Sequence, residues 1–287
     1  MKIVVTGAGG MLGREVVDAA QRAGLDVVAF ARAALDIADR DAVLAAIRTA
    51  RPDVVINAAA YTAVDACESD REGAFRVNAT AVEHLVSAVD DVGARLVHVS
   101  TDYVFDGSKP EPYHELDPPN PASVYGESKL AGERAALSLD DRSSVARTAW
   151  VFGQHGANMV KTVLRVKDQV PVLRFVDDQR GSPTSASDLA SMLVRLSVEG
   201  RAGLHHVTNQ GAVSWFGFVR EILRQVGDDP ARVEPITTAD LDPPRPAPRP
   251  ANSVLENRAL LVAGVELLPG YEDAVARVLR QLGATAR

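Results

Sequence analysis

The 287-residue chain predicts an α/β fold, a doubly wound parallel sheet of Rossmann type with a smaller C-terminal substrate-binding domain. Three observations carry that prediction: short, almost continuously apolar β-branched runs, amphipathic stretches of helix length between them, and a cluster of glycines where the first run meets the first helix. Strands covered by helices on both faces need apolar side chains on both sides, so they read as unbroken runs rather than alternating ones.

The first such run is KIVVT at 2–6, stopped by glycines, and the amphipathic stretch 12–23 after it predicts a helix. DVVAF at 26–30 is the second strand, 40–50 the second helix, and Pro52 breaks the chain just before a third strand at 53–57. A helix is expected over 72–92 and a fourth strand over 95–100. Pro118, Pro119 and Pro121 mark a loop, followed by a helix over 124–139 and a fifth strand over 144–150. Beyond Trp150 the pattern loosens: a helix at 158–166, a strand at 170–176, a helix at 186–197 capped by Thr184 or Ser185, and a strand at 204–208 that returns to the main sheet. DPPRPAPRP at 242–250 has too much proline for helix or central strand, and 271–282 is an amphipathic helix. The expected division is a dinucleotide-binding domain at 1–150, rejoined by 182–208, and a smaller domain from 151–181 and 209–287.

Composition narrows the function classes. The chain is 46% apolar and 24% charged, ordinary for a soluble globular protein, and its net charge of −7 argues against a nucleic-acid partner. The single cysteine, Cys67, excludes an internal disulfide and a cysteine-rich metal site, and reads as a small buried thiol. His84, His98, His114 and His155 have no mutual ligand spacing and are expected in structural or solvent roles. The N-terminus enters a strand directly, without the apolar core of a signal peptide, and no run approaches the ~18 apolar residues of a membrane span. A cytoplasmic protein without a membrane partner is expected.

Chemistry enters with TGAGGMLG, in which Gly7, Gly10 and Gly13 follow a strand and open a helix, with Met11 and Leu12 in the same turn. In that context glycines let the backbone turn tightly and approach a pyrophosphate, whose charge meets the free N–H groups of the helix start. A glycine-rich turn with no ligand fits the same residues. At the end of the second strand the chain reads Phe30-Ala31-Arg32, with no acid before Asp36. An arginine there suits a 2′-phosphate and an acid a 2′-hydroxyl, so Arg32 favours NADPH over NADH unless it is only a solvated loop charge. Asp36 and Ile37 would then lie against the adenine or else begin the next helix. Ala58, Ala59 and Ala60 are small, as a backbone passing close to a cofactor requires, although small residues also suit helix packing.

Ser100 and Thr101 end the fourth strand, at the sheet edge where ligands of open α/β sheets bind. A hydroxyl there can bond a carbonyl oxygen as it gains charge, or can simply cap a turn. In PASVYGESKLAGE, Tyr125 and Lys129 stand at i and i+4, on one face of the predicted helix. A lysine cation near the phenol would favour the phenolate and make the tyrosine a usable acid; a solvated Tyr and Lys on an ordinary helix has the same spacing.

The strand-one glycines, the strand-four hydroxyls and YxxxK together resemble a short-chain dehydrogenase/reductase. The runs INAAAYTAVDACE, HVSTDYVFDG, YGESKLAGE, RTAWVFG, DQRGSPT and RPAPRPANS, in that order, resemble the dTDP-4-dehydrorhamnose reductase family. The resemblance implies reduction of the 4-keto group of dTDP-4-dehydro-L-rhamnose, with NADPH or NADH as donor. It places catalytic roles on Thr101, Tyr125 and Lys129, cofactor contacts on Tyr125 and Lys129, the lysine holding the nicotinamide ribose, and substrate contacts on Thr62, Val64, Asp102, Tyr103 and Trp150. Trp150 is equally a core residue at a strand end, and Arg245 and Arg249 are either diphosphate ligands or surface-loop charges. Met11 stands where the family commonly has Gln, which leaves phosphate binding to backbone amides intact. Some family members hold magnesium at a dimer interface through several glutamates; only Glu15 has a counterpart here, so no metal is assigned, and a homodimer is compatible with the resemblance. Two other readings stay open: a ketoreductase or epimerase on another nucleotide-linked deoxysugar, and a non-catalytic relative such as the regulatory β subunit of methionine adenosyltransferase.

Overall fold

Six parallel strands form the central sheet of the computed structural model, which describes residues 1–285: β1 (Lys2–Thr6), β2 (Asp26–Phe30), β3 (Val54–Asn57), β4 (Arg95–Thr101), β5 (Ser143–Thr148) and β6 (Gly203–His206). Their spatial order is β6-β5-β4-β3-β1-β2, so the winding reverses between β1 and β3. A crevice opens at such a reversal, outside the carboxyl ends of the strands.

The layers follow from the two-residue period of a strand. Ile3, Val5, Val54, Ile56 and Val97 turn to one face, where they pack on Val16, Ala19 and Ala20 of α1 (Met11–Arg22). Val4, Val55, Leu96 and Val145 turn to the other, onto Val43 and Ile47 of α2 (Arg40–Ala50) and Val82, Leu85 and Val89 of α3 (Ala81–Val92). Ala136 of α4 (Val124–Leu137) joins that second face, while Leu189 and Leu193 of α5 (Ala186–Glu199) join the first. A separate cluster gathers Val160, Phe218, Ile222, Val275 and Val278 from three helices, Met159–Val166, Trp215–Gln225 and Tyr271–Gln281. A two-stranded parallel sheet, Leu173–Val176 with Val233–Ile236, packs on that cluster.

Several boundaries differ from the sequence reading. The helix expected over 72–92 is broken into Arg71–Phe75, a π-turn at Arg76–Thr80, and α3. At the π-turn Asn78 accepts the Tyr61 backbone N–H at 2.8 Å and donates to the Tyr61 carbonyl at 3.0 Å and to Ser128 Oγ at 3.0 Å. The break therefore clamps the loop after β3 to α4; π-turns of this kind concentrate at functional sites. The strand expected to run to Trp150 stops at Thr148, because Trp150 takes a φ of +47° and the chain resumes at Val151–Phe152 against Thr184–Ser185. The helices Val64–Ser69, Trp215–Gln225 and Arg258–Val262 and the strand Val233–Ile236 are further elements of the fold. Residues 242–250 form neither helix nor strand.

Candidate active site

Two adjoining cavities occupy the crevice, of about 660 and about 480 Å³, and share Gly10 and Ala58 to Ala60. The first is lined by Gly7, Arg32, Asp36 and Ile37, the second by Met11, Leu12, Thr62, Val64, Thr101, Asp102, Tyr103, Tyr125, Lys129 and Trp150. An open cleft of about 840 Å³ at the opposite sheet edge is different in kind: Arg48 and Arg142 lie there beside their own carboxylate partners, Asp91 and Asp90.

The glycine turn is shaped by contact. Gly7 has a φ of +71°, and a Cβ on it would fall 2.6 to 2.7 Å from the backbone of Ala58 and Ala59. A Cβ on Gly13 would collide with the Gly7 carbonyl oxygen. The turn therefore lies flat against the β3 loop, leaving its amide face open at the start of α1, which suits a pyrophosphate. Gly13→Ala is expected to destabilise the protein by ~1–3 kcal/mol through overpacking. Thermal unfolding, together with weaker dinucleotide binding by titration, checks it. In the same cavity Asp36 accepts the Ala38 N–H at 3.0 Å, which ties the carboxylate to its own turn, and Arg32 and Arg76 are the cations of the lining.

Ser123 caps α4 by accepting the Gly126 N–H at 3.1 Å, and this sets the helix so that Tyr125 and Lys129 face β4. Tyr125 is 8% exposed and packs edge-on to Tyr103, with centroids 5.5 Å apart. Burial raises its pKa above the ordinary phenol value; the Thr101 hydroxyl works against that shift and the Asp102 charge adds to it. Lys129 Nζ donates to the Val99 carbonyl at 2.7 Å and approaches His98 Nε2 at 3.5 Å. Burial pulls Lys129 down to about 8, with Glu133 opposing that shift. Thr101 Oγ1 donates to Asp102 Oδ1 at 3.0 Å, while Asp102 Oδ2 has no partner among the described residues. Burial pushes Asp102 up to about 6, with hydrogen bonds holding it from rising further. Ser253 stands close enough to the same carboxylate to lower its pKa, and Asp102 lines the second cavity.

Arg249 does not line the second cavity but stands behind Tyr103, which does. It grips Asp65 with Nη1 at 2.5 Å and Nη2 at 2.8 Å, beside Tyr103, and Arg245 stands 3.6 Å from the same carboxylate. Trp215, which carries no motif, was missed by the sequence reading. Its ring stacks on Trp150 with centroids 3.5 Å apart and planes within 4°, and it closes one side of the second cavity. Arg76 and Tyr61 likewise line the first cavity without any sequence signal. Cys67 is fully buried beneath Tyr125. No helix among the described residues is long and apolar enough to cross a membrane.

Comparison with known proteins agrees over the whole chain. The family described as the RmlD substrate binding domain matches residues 1–284. A dTDP-4-dehydrorhamnose reductase of Mycobacterium tuberculosis is 44% identical over 284 residues, covering 97% of this chain and 92% of that protein. Among solved structures, a dTDP-4-dehydrorhamnose reductase of Clostridium acetobutylicum superposes with a TM-score of 0.95 at 39% identity, covering 99% of this chain and 100% of the other. That of Bacillus anthracis, in complex with NADP, superposes with a TM-score of 0.93 at 34% identity, covering 98% and 99%.

Proposed function

We infer the reaction from kinship and geometry together: the chain belongs to the dTDP-4-dehydrorhamnose reductase family, and its second cavity brings an acid, a cation and an acceptor into one wall. The protein is an NADPH-dependent sugar-nucleotide 4-ketoreductase that converts dTDP-4-dehydro-L-rhamnose to dTDP-L-rhamnose, the last step of dTDP-rhamnose synthesis. The carrying observation is the convergence of Thr101, Tyr125 and Lys129 on the cavity that adjoins the glycine turn.

NADPH, when bound, supplies the hydride. Gly7, Gly10, Gly13 and the β3 loop residues Ala58 to Ala60 cradle the dinucleotide, and Arg32 recognises its 2′-phosphate. Tyr125 gives its proton to the carbonyl oxygen as the alcohol forms, Thr101 orients that oxygen, and the Lys129 ammonium stabilises the phenolate left behind. Buried with a raised pKa, Tyr125 keeps its proton at neutral pH and is ready as the acid. Thr62, Val64, Asp102, Tyr103, Trp150 and Arg249 contact the sugar nucleotide, Arg249 from beside Tyr103. The reading includes the division into a dinucleotide-binding domain (1–150 with 182–208) and a substrate domain, a cytoplasmic setting, and a homodimer.

The test is oxidation of NADPH with dTDP-4-dehydro-L-rhamnose, with dTDP-L-rhamnose identified as product. Oxidation only with a different nucleotide-linked ketosugar would move the substrate within the class, and binding of NADPH without turnover would overturn the reductase reading. Cofactor choice gives a second test. A hydrogen bond to a charged group contributes ~1.5–3 kcal/mol, so Arg32→Ala should raise KM for NADPH roughly ten- to hundredfold. KM for NADH should stay where it is, as steady-state kinetics with both donors will show.

A further inference from the structure

One buried histidine touches the catalytic lysine, and the sequence reading gave it only a structural or solvent role. His98 lies in the middle of β4 and is fully buried. Thr6 pairs with Asn57, and Asn57 with His98, across β1, β3 and β4, so the three side chains stand in one row on one face of the sheet. The row begins beside Gly7 and ends at Lys129.

Its hydrogen bonds have a fixed direction. Asn57 Oδ1 accepts the Ala59 backbone N–H at 3.1 Å and the Thr6 hydroxyl at 2.7 Å. A backbone N–H can only donate, so the oxygen of the amide must face Ala59 and the NH₂ must face His98. Asn57 Nδ2 lies 3.1 Å from His98 Nδ1, which therefore accepts. Burial drives the His98 pKa well below its ordinary value, so the ring is neutral and its one proton sits on Nε2. That N–H is aimed at Lys129 Nζ, 3.5 Å away. An ammonium there faces another donor, whereas an amine has a lone pair to accept the N–H.

We propose that His98, with its tautomer fixed by Asn57, is a positioning residue that decides whether Lys129 stands in the site as ammonium or amine. The ionisable groups around Lys129 are His98 on β4, Asp102 in the turn that follows it, Tyr125 and Glu133 on its own helix, and Arg147 on β5, which Glu133 binds. Glu133 favours the ammonium and burial opposes it, and the His98 N–H, aimed at Nζ, offers the ammonium no acceptor. The balance leaves Lys129 free to change its proton near neutral pH instead of being locked in one state. This deepens the reductase reading and rests on it for the catalytic meaning of Lys129, though the tautomer does not depend on it.

The experiment uses the full-length protein with NADP bound. Nitrogen-15 spectra of labelled histidine should show His98 protonated on Nε2 alone; a proton on Nδ1, or on both nitrogens, overturns the proposal without any variant. Asn57→Asp offers a carboxylate that can only accept, so the tautomer should invert and Nε2 should accept from the ammonium. The Lys129 titration, followed through its ε-carbon by NMR, should then rise by about one unit or more, and the alkaline limb of kcat/KM should rise with it. The added charge acts without the ring in the double variant Asn57→Asp, His98→Leu, where most of the rise should vanish. A rise that persists there makes His98 irrelevant to Lys129 and overturns the proposal. Failure of the wild-type enzyme to reduce the ketosugar would leave both NMR results standing, so the two readings fail separately.

Discussion

Tyr125→Phe is expected to lower kcat by about 10²- to 10⁴-fold, the range for loss of a positioned general acid, with the fold unchanged. Only the hydroxyl is lost. The ring stays packed beside Cys67 and Ala74 and edge-on to Tyr103, so the substitution conserves volume where the wall is tight. Thermal unfolding and the Kd for NADPH should both match wild type, which separates a chemical loss from a structural one. Turnover within about threefold of wild type would assign the acid elsewhere. Asp102, pushed up to about 6 and lining the same cavity, would be the next residue to replace. The pH profile carries a second sign. Burial holds the proton on Tyr125 above the ordinary phenol range, so the acid form persists through the alkaline side. Lys129 is pulled down to about 8 and is an ammonium below that value and an amine above it. If the ammonium supports the developing phenolate, kcat/KM of the wild type falls as pH rises through about 8, well below the ordinary lysine range.

The parts of this site legible in the sequence are those whose chemistry is local. The glycine turn is a strand, a tight bend and a helix start within a dozen residues, and YxxxK is one helix face. Both families of residue reach the crevice because strand order and helix phase put them there. What escaped detection is carried by contacts between distant segments. Trp215 earns its place only by stacking on Trp150, and Asn78 only by clamping the Tyr61 loop to Ser128. The π-turn around Asn78 replaces what an amphipathic pattern reads as one helix, since period alone does not register an extra residue in a turn. Arg249 also depends on a distant segment: Asp65, 184 positions away in the chain, is the carboxylate beside it. Lys129 illustrates the limit of spacing for charge. Its position four residues after Tyr125 is right, yet the sequence holds no sign that the Val99 carbonyl, on another element, would accept from it or that the His98 N–H would face it.

Glu133→Gln should produce the largest loss of stability. Glu133 and Arg147 are 2% and 3% exposed at the side chain and form a forked pair, Nε to Oε1 at 2.9 Å and Nη2 to Oε2 at 2.7 Å. Ser100 donates to the same Oε1 at 2.5 Å, which ties the end of β4, and with it Thr101, to α4. The guanidinium also lies over the Phe105 ring, 5.0 Å from its centroid. Removing one partner of a buried pair leaves the other charge without compensation, at a cost of about 3–5 kcal/mol, which chemical denaturation at neutral pH measures. Replacing both partners, Glu133→Gln with Arg147→Met, should recover most of that loss, because no lone charge then remains in the interior. A double variant no more stable than the single one would mean that the pair holds the fold through geometry rather than through cancelled charge. Activity supplies an independent sign. Glu133 raises the lysine pKa against burial, so Glu133→Gln should move the alkaline limb of kcat/KM to lower pH, opposite in direction to Asn57→Asp. Two substitutions on different elements, neither of them touching the phenol, would then shift one limb in opposite senses, as expected if Lys129 is the group that titrates.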